Sequence, residues 1–183
     1  MSRPPSRLRR PVILTLLTLV VLGFVFVVVA TARLFVWPPT DEPTKVDAVV
    51  ALGGDPGQHR AALALQLARQ GYAPVAVVSL GGRKAVPCPD PVPGVELLCF
   101  RADPLDTRGE AEYVSRLAAR RHWHSIIVVS ERSQATRARM LFERCTDIRL
   151  VMVPVADPRV RLPYDVAYEW GALIKALTVA RSC

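Results

Sequence analysis

From Val46 to Gly54 the chain reads Val-Asp-Ala-Val-Val-Ala-Leu-Gly-Gly, a short β-branched run closed by two glycines and followed by a helical pattern. A run this apolar fits a strand buried on both faces, as at the centre of a parallel sheet. Glycines where the backbone leaves such a strand let a ligand approach the main chain closely, and N–H groups opening the next helix suit an anion. Ligands of open α/β sheets collect outside the carboxyl ends of the strands, so the working face is expected there.

The pattern then alternates. Gln58 to Gln70 carries Ala61, Leu63, Ala64, Leu65, Leu67 and Ala68 at helical spacing and stops at Gly71, a residue suited to a helix C-cap. Pro74 to Ser79 is a second buried strand, closed by Gly81 and Gly82. Residues 83 to 94 form a proline-rich insertion, and Val95 to Phe100 is a third strand. Thr107 to Arg121 reads as a helix, Ser125 to Ser130 as a strand, Gln134 to Arg144 as a helix, Ile148 to Val153 as a strand and Tyr164 to Val179 as a last helix. Strands alternating with helices of 10 to 15 residues make βαβ units. The expected fold class is α/β, a three-layer Rossmann-like parallel sheet of about five strands. The glycine pattern lacks G-x-G-x-x-G, so no dinucleotide fingerprint is present.

Ahead of this domain, Val12 to Ala32 holds no charged residue over 21 positions, about 31 Å as a helix and enough to cross a bilayer. Residues 12–35 are read as one transmembrane helix, 1–11 as a cytoplasmic basic tail, 36–44 as an extended, proline-containing linker and 45–183 as the domain. Arg3, Arg7, Arg9 and Arg10 precede the span and Arg33 alone follows it closely, which places the amino terminus in the cytoplasm and the domain outside, on a single-pass plasma-membrane protein. Ala30-Thr31-Ala32 also has the form of a signal cleavage site, but the apolar core exceeds the ~7 to 15 residues of a cleaved signal. The net charge of +8 is largely local to this flank: beyond it 19 basic residues face 16 acidic ones. Nucleic acid is therefore not an expected partner.

The cysteines gain meaning from an external location. Cys88, Cys99, Cys145 and Cys183 show neither CxxC nor zinc spacing and allow three pairings. Cys88 with Cys99, across the insertion, and Cys145 with Cys183 are the favoured bridges, with four free thiols as the alternative. His122-x-His124 lacks a third ligand nearby, so no metal site is indicated.

Four motifs in order, Val46 to Gly54, Ser79 with Gly81 and Gly82, Asp106-Thr107-Arg108-Gly109-Glu110-Ala111, and Val128-Val129-Ser130 followed by Arg137-Ala138-Arg139, resemble the YdcF-like family, also called domain of unknown function 218, over about residues 45 to 178. The resemblance implies a role in cell-envelope integrity and peptidoglycan precursor metabolism, and ligand-face roles for Ser79, Ser130 and Gln134. It leaves the cofactor unknown; one family member is linked to S-adenosylmethionine, a cytoplasmic molecule. Family members usually carry a histidine where this chain has Gln134. Glutamine can hydrogen-bond a ligand but cannot shuttle a proton near neutral pH.

Beside the resemblance, the residues offer their own readings. Thr107 and Glu110 fit a capping box, S/T-x-x-E, and Glu110 is also the first choice for a catalytic base. Arg60 and Arg137 open helices, where positive charge opposes the dipole. They are explained either by an anionic ligand such as phosphate or by surface ion pairs with Asp55 or Glu131. Gly53, Gly54, Gly81 and Gly82 are either ligand loops or plain turns. Two functions remain open: an envelope enzyme acting on a phosphate-bearing or lipid-linked precursor, and a non-catalytic domain binding such a ligand or a membrane partner.

Overall fold

The computed structural model describes residues 9–55, 58–81, 86–155 and 162–183. Helix α1 (Arg9–Thr31) continues through a π-helical turn, Ala32–Val36. The apolar stretch Pro11–Val36, 26 residues long with a mean hydropathy of 3.2 over its most apolar 18, is long and apolar enough to cross a membrane. Within it Thr15 and Thr18 donate back to the carbonyls of Pro11 and Leu14, so their hydroxyls need no water inside a bilayer.

Five strands form one all-parallel sheet: β1 (Ala48–Ala51), β2 (Val75–Ser79), β3 (Glu96–Phe100), β4 (Ser125–Glu131) and β5 (Arg149–Val155), in the order β3-β2-β1-β4-β5. The central strand β1 is wholly buried because it has neighbours on both edges and helices over both faces. Its side chains alternate. Ala48 and Val50 join Ile126, Val128, Val114, Leu117 and Phe142 in one core, while Val49 and Ala51 join Ile127, Val129, Ala64 and Leu67 in the other.

Helix α2 (His59–Arg69) covers the second of these faces. On the opposite face lie α3 (Thr107–Arg121) and α4 (Ala135–Cys145), packed on each other, with α5 (Leu162–Thr178) beside α4. Asp47, which precedes β1, accepts from the N–H groups of His124 (2.7 Å) and Ser125 (2.9 Å) and ties the starts of β1 and β4 together. Burial works against its charge, but these hydrogen bonds hold its carboxyl below the usual range.

The linker is docked along β5 rather than standing free. Asp41 donates its N–H to the Met152 carbonyl (2.9 Å) and its carboxylate accepts from the Met152 N–H (2.8 Å) and from Arg139 Nη2 (2.6 Å). Arg149 Nη2 then reaches the Lys45 carbonyl at 3.1 Å. The outer edge of β5 is partly covered in this way, and Pro154, which has no N–H to give, fits an edge strand. Disulfides join Cys88 to Cys99 and Cys145 to Cys183, with Cα atoms 6.0 and 5.0 Å apart. The first closes the insertion onto β3; the second ties the carboxyl terminus to the end of α4.

Candidate functional site

A cavity of about 450 Å³ opens at the carboxyl edge of the sheet, between the ends of β1 and β4. The next helices, α2 and α4, lie on opposite faces, so this is the topological switch point of the sheet, where a crevice is left open. Gly53, Gly54, Arg60, Gly81, Thr107, Glu110, Gln134 and Arg137 all line it. Ser79 lies behind, hydrogen-bonded to Glu110. Ser130 is fully buried and donates to the Glu131 carbonyl at 3.1 Å, off the cavity wall. Gly82 lies outside the described residues.

The side chains form a connected polar layer. Gln134 Oε1 accepts from Arg60 Nη1 (3.0 Å), and its Nε2 donates to Thr107 Oγ1 (3.0 Å). Arg137 Nη1 donates to the same hydroxyl at 3.0 Å. Its other two nitrogens grip the Glu169 carboxylate of α5 in a bidentate pair at 2.7 and 2.8 Å. Arg60 stands 3.5 Å from Glu131 and 4.0 Å from Asp55, with its side chain 3 % exposed. Its Nε is buried with no hydrogen-bond partner among the described residues.

Several expectations change here. Thr107 is not a helix cap: Asp106, one residue earlier, takes that role, its carboxylate accepting from the Gly109 N–H at 2.9 Å. That moves Glu110 one position further into α3, so no capping box closes. Glu110 points instead across to Gly53, whose N–H it accepts at 2.6 Å. Arg60 does pair with Asp55 and Glu131, though from a buried guanidinium rather than at the surface; Arg137, also buried, pairs with Glu169 instead.

The glycine loops also bond inward: the Gly53 N–H goes to Glu110 and the Gly54 N–H to the Gly81 carbonyl, so neither is offered to a ligand oxyanion. Gly53 is required for another reason. A Cβ there would stand 2.7 Å from the Gly81 oxygen and 2.8 Å from Ser79 Oγ, so it is a neighbouring loop that comes close to this backbone. Glu169 and the cavity-lining Tyr164, Asp165 and Tyr168 were not anticipated; all stand on α5, whose amphipathic pattern reads as plain helix packing. Among the described residues no three His, Cys, Asp or Glu side chains gather into a metal-binding cluster.

Burial pushes the Glu110 carboxyl up, against the opposing pull of the Ser79 hydroxyl, the Gly53 N–H and the Arg60 and Arg137 charges. Arg137, also buried, is held charged by the Glu169 carboxylate. A raised folded-state pKa means that the stability gained by burying neutral Glu110 is complete below the unfolded value. It is lost as pH rises through the folded value. Gln mimics the neutral acid and keeps the acceptor for Gly53, so Glu110→Gln is expected to melt higher than wild type at alkaline pH. The difference should vanish toward about pH 4; a gap that does not change with pH in thermal melts would contradict the assignment.

No protein-family model, curated protein or solved structure matches this chain.

Proposed function

We propose that this chain is a membrane-anchored, extracytoplasmic domain of the YdcF-like family, acting in cell-envelope biogenesis or integrity on a phosphate-bearing or lipid-linked envelope precursor. Glu110 is the proton-transfer group of this reading. The observation that carries it is a buried carboxyl of raised pKa, in a cavity at the sheet's switch point, with two buried guanidiniums in reach of the same chamber. Arg60 is the better anion contact: its two carboxylate neighbours stand 3.5 and 4.0 Å away and its Nε has no hydrogen-bond partner among the described residues, whereas Arg137 is held bidentately by Glu169 at 2.7 and 2.8 Å. The two disulfides fit an oxidising compartment, and with the arginines before the apolar span they favour the external side.

An amphiphilic ligand is favoured by a second groove of about 450 Å³ between α4 and α5. It shares Asp106, Thr107, Arg137 and Tyr168 with the first and continues over Leu141, Ala172 and Ala176. A polar head and an apolar tail would have adjoining places.

A second reading, a domain that binds without turnover, is favoured by Gln134. Both ends of its amide are engaged in the polar layer, and it has no proton to transfer. The full chain in nanodiscs, offered polyprenyl-phosphate-linked and nucleotide-linked sugars, separates the two. The enzyme reading expects release of phosphate or a transfer product, reduced about 100-fold or more in Glu110→Gln. Binding by both proteins with no product selects the second reading, and absence of binding removes both.

A further inference from the structure

The way the span joins the domain determines which side of the domain meets the bilayer. Val12 to Val29 are all exposed, so α1 projects away from the domain instead of folding back on it. Its end is gripped at three points. Thr31 Oγ1 accepts from Trp170 Nε1 at 3.0 Å, the Phe35 ring packs edge-on to Trp170 at 5.2 Å, and the Leu34 carbonyl accepts from Thr136 Oγ1 at 2.5 Å. Thr136 is the second residue of α4, which begins at the carboxyl edge of the sheet.

From there the chain descends against the direction of β5. Asp41 meets Met152 in the middle of that strand, the Lys45 carbonyl meets Arg149 at its start, and Asp47 meets Ser125 at the start of β4. Residues 34 to 47 therefore cross the domain from carboxyl edge to amino edge, and the span leaves at the edge that carries the cavity.

Three amphipathic rings stand exposed at this level. Trp37 follows the span directly and is 68 % exposed. Tyr164 and Tyr168, in the first turns of α5, are 69 % and 60 % exposed and also line the cavity. Trp and Tyr belong at the headgroup level of a bilayer, where the ring is shielded and the polar tip stays wet.

We infer that the carboxyl edge of the sheet faces the bilayer that α1 spans, with Trp37, Tyr164 and Tyr168 seated in its headgroup layer, so that the cavity opens onto the membrane surface. The partner is the lipid headgroup layer itself. The inference rests on the reading of α1 as a membrane span and adds which face of the domain is turned to the lipid. A ligand would then reach Glu110 and Arg60 from the leaflet rather than from bulk water, which suits a molecule carrying both a polar head and an apolar tail.

The test uses the full chain in vesicles of phosphatidylcholine and phosphatidylglycerol, with one genetically encoded fluorescent amino acid placed in turn at Val20, Arg120, Tyr164 and Tyr168. Nitroxide lipids labelled at the headgroup or deep in the acyl chain serve as quenchers. Headgroup nitroxide is expected to quench positions 164 and 168 several-fold more than position 120, which lies at the opposite edge of the sheet, and deep nitroxide to quench position 20. If position 20 is quenched while 164 and 168 behave like 120, the span stands and the orientation is overturned. If position 20 is not quenched either, the span reading and the orientation fail together. Two tyrosine positions are used so that a local packing defect at one does not decide the outcome.

Discussion

Replacing Arg137 by methionine should lower stability by about 3 to 5 kcal/mol, because it leaves the Glu169 carboxylate buried without its partner. For a chain of this size that is a fall in Tm on the order of 10 °C. The double variant Arg137→Met with Glu169→Leu should recover most of the loss, since two packed apolar side chains remove the stranded charge as well as the pair. Thermal melts of wild type, each single variant (Arg137→Met and Glu169→Leu) and the double variant give the coupling directly. If Arg137 served only to hold a ligand anion, the single variant would melt like wild type and the cycle would show no coupling. The 10 % side-chain exposure of Arg137 and 6 % of Glu169 place the pair where loss of one partner is expensive.

The second large effect is expected at Gly109. This residue lies in the first turn of α3, directly beneath the Pro104 peptide. A Cβ built on it would overlap the Pro104 carbonyl oxygen and stand 2.9 Å from the Pro104 nitrogen. Backbone cannot swing aside as a long side chain can, so Gly109→Ala must move either the 103–106 turn or the start of α3. A cost of about 1 to 3 kcal/mol or more follows. The shift would also displace Thr107 and Glu110, so ligand binding should fall with stability. Gly171→Ala is the matching control: its Cβ would meet nothing within 4 Å on an exposed helical face, and alanine there should raise stability by about 0.5 to 1 kcal/mol. Equal melting of the two variants would refute the crowding at Pro104.

The sheet was legible in the sequence because each strand is a compact apolar run and each helix restores the 3.6-residue spacing. The helix expected over Thr107 to Arg121 has those bounds in the structure. Boundaries moved where a signal was mixed: β5 runs on through Pro154 to Val155, since a proline at an edge costs no ladder bond.

The site was legible only as a location. Thr107 reads as a cap in one dimension, but Asp106 stands one residue nearer the helix entrance and satisfies the N–H that a cap would take. Arg137 could be seen to need an anion; that the anion is Glu169, 32 residues further on, depends on how α5 lies beside α4. Gly53 was marked as a place of close approach, yet the partner is Gly81, which comes near only because β1 and β2 pair in register. In each case local chemistry was visible, and its partner depended on the fold.

The docking of Asp41 has a mechanical consequence. A slack linker of nine residues would let the domain roam up to about 30 Å from its anchor. With Met152 and Arg139 both held by one carboxylate, that slack is taken up and the domain is held close to the end of the apolar helix. Tilting of the anchor would then be transmitted to the outer strand as by a rigid stalk, and the chamber would sample a thin, fixed shell of its surroundings.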